Sequence, residues 1–155
     1  MNGRIEVDRQ RQKLDATFQR ASKITEPEVL SDFARYLCVL VSGFLEQSII
    51  ELILEHVRTH SHPSIQQHVE QRLRQFTTAK TQRIIELFGS FDANWRKDLE
   101  AYLVEEYKAA VDSVVDLRQT VSHGRYADVT LVRVRDYYTR VKEVVEHLAN
   151  LCAPN

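Results

Sequence analysis

Glycine and proline are scarce in this chain, four and three residues among 155, which leaves little material for the turns an all-β fold requires. Helix is the default. Two cysteines occur, Cys38 in an apolar run and Cys152 near the end, at no spacing that suits a disulfide framework or a metal site. Both read as free thiols in a reducing compartment. The opening residues Met1 to Glu6 hold no apolar signal core, and no apolar run reaches the roughly 18 residues of a membrane span. A soluble, cytoplasmic protein without a membrane partner is expected. Gly-rich phosphate loops, a GxGxxG fingerprint and a nucleophile elbow are also missing, which weighs against nucleotidyl transfer and serine-type ester hydrolysis. No internal repeat or low-complexity run breaks the chain, so a single domain over residues 1–155 is expected.

Net charge is −1, too little positive charge for a generally basic nucleic-acid binder. Its distribution is uneven. Between residues 118 and 142 six basic side chains face Asp128 and Asp136, a net of +4, while the remainder nets −5. A phosphate-backbone ligand would need such a concentration, and a solvated helix face would also show it.

Hydrophobic spacing divides the chain into about five to seven helices of an antiparallel bundle. Residues 1–25 read as an N-terminal amphipathic helix or arm, with Val7, Leu14, Phe18 and Ala21 near heptad spacing. Glu26-Pro27-Glu28 starts a second helix that runs to about residue 58. It is apolar around most of its circumference, as befits a helix surrounded by others. One stripe departs from that rule: Glu46 falls on the same face as Val39, Ser42, Ile50 and Ile53. A carboxylate there needs a structural salt bridge, an exposed edge or a polar cleft. His56, His60, His62 and His68 lack the ligand spacing of a zinc site and read as surface histidines. Gly89-Ser90 reads as a helix stop with a possible cap. Val134, Tyr138, Val141, Val145 and Leu148 give the last helix the cleanest period in the chain.

Two arginine–histidine pairs have spacings suited to a small phosphate-cleaving site: Arg118/His123 and Arg140/His147. Context separates them. Five residues at about 100° each place Arg118 and His123 about 140° apart on an unbroken helix, so the helix must end at or between them. Gly124 supplies the stop and puts His123 at the terminus. Arg140 and His147 lie about two turns apart in the middle of a periodic helix and read as a solvated surface pair.

A central apolar helix bearing Tyr36-Leu37 and Gly43-Phe44-Leu45-Glu46, an Arg118-x4-His123-Gly124 ending a late helix, and an amphipathic final helix with paired tyrosines together resemble the HEPN superfamily. Within it, the chain is similar to the RiboL-PSP-HEPN branch. That resemblance implies an all-α, HEPN-like up-and-down bundle that forms a homodimer. It also implies a metal-independent endoribonuclease of toxin–antitoxin or antiviral-defence systems, with RNA as substrate, no cofactor and a possible protein antitoxin or inhibitor. The family motif usually has asparagine after the arginine, where this chain has Gln119, which keeps the amide on a longer side chain.

The residue chemistry agrees with that expectation. RNA carries its own nucleophile in the 2′-hydroxyl, so cleavage needs a base, an acid and a cation on the phosphorane. His123 is the candidate base or acid and Arg118 the phosphate stabiliser. Gln119 and Ser122 are candidate polar support, and Glu46 and Arg125 possible contributors to the site. The competing reading is a non-catalytic HEPN-like module that binds RNA or protein. A third leaves Arg118 as a helix-end partner and His123 as a favourable C-terminal cation.

Overall fold

Seven helices and no strand make up the described residues: α1 (Gly3–Ala21), α2 (Pro27–His60), α3 (Pro63–Leu73), α4 (Thr81–Phe91), α5 (Ala93–Tyr102), α6 (Glu105–Ser122) and α7 (Leu131–Leu151). The computed structural model describes residues 3–153; Met1, Asn2, Pro154 and Asn155, which the 1–155 domain and the reading of the first residues include, lie outside them.

α2 is the axis. Its 34 residues span about 50 Å, and α1, α6, α7 and α3 pack along it. The expectation that no apolar stretch reaches membrane-span length does not hold for α2, which is long and apolar enough to cross a bilayer, yet most of that stretch is buried inside the bundle. Leu37, Val41, Leu45, Ile49 and Ile53 have no exposed surface. α1 returns antiparallel to α2, so that the backbone N–H of Arg4 donates to Glu55 Oε2 at 3.3 Å. The close approach at Gly3 requires a glycine: a Cβ there would come 2.5 Å from the carbonyl oxygen of Glu51. Val7, Leu14, Phe18 and Ala21 are all buried, which makes the first helix a full member of the core.

α7 runs antiparallel to α1. Tyr138 ties the two together: its hydroxyl donates to Asp15 Oδ1 at 2.6 Å, and its ring stacks on Phe18 at 4.6 Å. Burial, together with the Asp15 carboxylate, pushes the Tyr138 phenol up. The apolar period of α7 emerges as a buried stripe through Val134, Val141, Val144, Val145 and Leu148.

Two local expectations change. Gly89 and Ser90 do not stop α4, which continues to Phe91. Gly89 instead makes room for a neighbour, since a Cβ there would lie 2.5 Å from Arg96 Nε. The break comes at Asp92, whose carboxylate accepts the backbone N–H of Asn94 at 2.7 Å and caps α5. Arg140 and His147 are not a solvated pair. Both are half-buried, with Arg140 Nη1 3.7 Å from Glu106 on α6 and His147 Nε2 2.5 Å from Asp98 on α5. Those partners come from other helices, which the angular spacing along α7 does not reveal.

Candidate ribonuclease site

α6 runs regularly through Ser122 and closes at His123. The closure has two hydrogen bonds: Gly124 N–H to the Val121 carbonyl at 3.0 Å and Arg125 N–H to the Thr120 carbonyl at 3.1 Å. That paired pattern needs a left-handed residue after the cap, and Gly124 has φ +71°. A side chain there would be strained. His123 thus stands at the lip of the helix, exposed to solvent.

The ring of His123 is not free to take any role. Its Nδ1 lies 2.8 Å from the backbone carbonyl oxygen of Gln119. A carbonyl only accepts, so Nδ1 carries the proton and Nε2 of the neutral ring carries the lone pair. Gln119 therefore serves through its backbone, while its side chain is exposed, as are those of Ser122 and Arg125.

Arg118 turns the other way. Its Nη1 donates to Glu46 Oε2 at 2.8 Å, with the Glu46 side chain only 12% exposed and the Arg118 side chain 34%. This answers the question the Glu46 stripe raised: the acid on the apolar face of α2 meets an arginine from α6. Among the described residues no second acceptor holds Arg118, which also lines a shallow groove between α1 and α2 with Lys13, Thr17, Tyr36 and Gln47. No hydrogen bond joins Arg118 to His123. The regular helix keeps their side chains on different faces, as the about 140° offset requires.

The positive cluster of residues 118 to 142 divides in space. Lys142 pairs with Asp15 at 3.3 Å and Arg140 with Glu106 and Glu143, so both are internal ties. Arg118 is paired with Glu46, and Arg125, Arg133 and Arg135 are exposed in and just after the loop that follows His123, where Thr130 caps α7 by accepting the Arg133 N–H at 3.2 Å. One arrangement at this end was not legible from spacing. The Arg35 guanidinium lies 4.9 Å from the ring centroid of Tyr126, joining α2 to the loop that follows the motif. An aromatic in a polar loop directly after Gly124-Arg125 is the signal that could have drawn attention to it.

Of the histidines expected at the surface, His60, His62 and His68 are exposed, while His56 is half-buried against α5. His56 and His60 stack at 4.3 Å, and Trp95 meets His56 edge-on. His62 accepts the Ser64 N–H and caps α3. No group of three His, Cys, Asp or Glu side chains among the described residues is arranged to hold a metal ion.

The family model described as RiboL-PSP-HEPN matches residues 6–153. The chain belongs to that family and so to the HEPN superfamily, whose members include ribonucleases and whose domains serve as nuclease or RNA-binding modules. No curated protein and no solved structure matches it significantly.

Proposed function

We propose that this chain is a metal-independent endoribonuclease that cleaves RNA by attack of a ribose 2′-hydroxyl on the adjacent phosphate. The observation that carries this reading is the His123 hydrogen bond. With Nδ1 fixed on the Gln119 carbonyl, the exposed Nε2 is the one nitrogen left for proton transfer. Nε2 takes the proton from O2′ as the O2′–P bond forms. The P–O5′ bond breaks, and O5′ receives a proton from an imidazolium. Arg118, permanently charged and with part of its fork free, offsets charge on the non-bridging oxygens. Glu46 is its positioning residue. The products are a 2′,3′-cyclic phosphate and a 5′-hydroxyl.

The base and the acid act on opposite sides of phosphorus, and each chain offers one suitable histidine. A two-fold homodimer with the motifs at its axis supplies His123 and His123 of the partner subunit to one scissile bond. The divergence of Arg118 and His123 on α6 favours the same arrangement, since within one chain they do not converge. A toxin or defence role, in a cytoplasmic setting and under a protein antitoxin or inhibitor, is the biological context that the family resemblance adds.

The test is cleavage of a structured RNA with and without chelator, together with end analysis of the products. Activity that survives EDTA, spares DNA and leaves cyclic phosphate ends supports the reading. Magnesium dependence or 5′-phosphate ends would overturn it. One observation favours a second reading, a non-catalytic RNA- or protein-binding module: Arg118 is already paired with Glu46 at 2.8 Å. RNA binding without cleavage by the wild-type dimer would select that alternative.

A further inference from the structure

Tyr126 leaves 72% of its surface in water, yet its ring is not loose. Arg35 lies under one face at 4.9 Å from the centroid. That arginine is itself held, with Nη1 donating to Ser31 Oγ at 3.1 Å and the other terminal nitrogen paired with Asp32. Only 20% of its side chain is exposed. The loop around the ring is anchored on both sides. The Gly124 and Arg125 N–H groups close α6 before it, and Ala127 and Val129 after it are each 4% exposed. The result is a flat aromatic surface with its back on a fixed cation and its front open, three residues from His123 and next to exposed Arg125.

We propose that Tyr126 is the stacking platform for an unpaired nucleobase beside the scissile phosphate, with Arg35 supporting the ring from behind and Arg125 taking a neighbouring phosphate. This deepens the ribonuclease reading and rests on it. Every base presents a π-face of suitable size, so stacking confers affinity with little sequence demand. A base within a duplex already has both faces covered. The platform therefore selects single-stranded or looped RNA. A polyanion with aromatic bases suits this surface better than an apolar protein segment, because one arginine lies under the ring and another, exposed, precedes it in the chain.

The test uses fluorescein-labelled single-stranded RNA and the full chain. Binding is measured in a His123→Ala background, and cleavage in the wild-type background, with circular dichroism and solution mass recorded for each variant. Tyr126→Ala should raise both Kd and KM about tenfold, with a much smaller change in kcat. Tyr126→Phe should restore both, because the ring and not the hydroxyl makes the contact. An RNA with an abasic ribonucleotide at the stacked position should bind as weakly as Tyr126→Ala does and be insensitive to that substitution. Unchanged Kd and KM in Tyr126→Ala, with RNA still cut, would overturn the platform and leave the ribonuclease reading standing. Dissociation of Tyr126→Ala to monomers, with unaltered RNA affinity per dimer, would assign the ring to a subunit interface and also overturn the platform. Failure of the wild-type protein to bind or cut any RNA would overturn both.

Discussion

The two arginine–histidine pairs of this chain have nearly the same sequence pattern and opposite surroundings. On the long face of α7 the pair is tied into the bundle: Arg140 Nη1 reaches Glu106 of α6 and Glu143 of its own helix, and the guanidinium approaches the Tyr107 ring at 5.9 Å. His147 pairs with Asp98 while its ring stacks on Tyr102 at 3.7 Å. At the end of α6, each member has one intramolecular partner and keeps the rest outward. A pair whose charge and ring are engaged by neighbouring helices braces the fold. The two arginines are almost equally exposed, 34% and 33%, so the difference lies in the histidines: His147 is half-buried and stacked, whereas His123 stands exposed at a helix terminus with Nε2 open to a ligand.

The sharpest way to break that contrast is to delete each histidine. His123→Ala should lower RNA cleavage by about 100-fold or more with the thermal midpoint unchanged. His147→Ala should leave cleavage intact and cost about 1–2 kcal/mol of stability through the lost Asp98 tie, read by thermal or urea unfolding. Equal kinetic effects would erase the distinction between the pairs.

Next in size is the Arg118–Glu46 pair, which has both a structural and a proposed chemical role. Arg118→Ala should abolish cleavage and also destabilise the bundle by about 1–3 kcal/mol, because it strands a mostly buried carboxylate. Combining Arg118→Met with Glu46→Leu should return the stability without returning the activity. A double variant that still cuts RNA at the wild-type rate would reduce Arg118 to a structural partner.

A smaller effect should appear with pH on the braced side, where His56 packs against Trp95 of α5. Burial, with nearby His60 second, lowers the His56 pKa from 6.5, so the unfolded chain binds the proton more readily than the folded one. Its contribution is fully present above pH 6.5 and is lost as pH falls from there toward the lower folded value. His56→Gln should flatten the fall in melting temperature between neutral and mildly acidic buffer. An unaltered slope would remove His56 as its source.

The thiols should show the least response of all. Burial pushes Cys38 and Cys152 up to about 12. Neither should react with an alkylating agent near neutral pH until the protein unfolds, and mass spectrometry of the native protein reads this directly.

The parts of this molecule that were legible in the sequence are those governed by near neighbours along the chain. The period of α7, the all-round apolarity of α2 and the Gly124 stop follow from residues within two turns of one another. The oddity of Glu46 was visible too, but its partner stands 72 residues away on α6, and no local pattern names it. Gly89 misleads for the same reason: a glycine before serine looks like a terminus, while its lack of a side chain leaves room for Arg96 on the next helix. The burial of Arg140 and His147 is not legible from spacing, because a helical wheel shows which way they point and not what meets them.

The hydrogen bond from His123 to the Gln119 carbonyl has a consequence for the temperature dependence of the proposed reaction. An imidazole on a frayed helix end would sample several rotamers and both neutral tautomers, and each turnover would have to select among them. Here the closure at Gly124 makes that selection once, when the chain folds. The advantage should therefore appear in the activation entropy, because the ring loses little freedom on the way to the transition state. Loosening the cap with Gly124→Ala, at a residue whose φ of +71° disfavours any side chain, should lower the intercept of an Arrhenius plot more than it changes the slope.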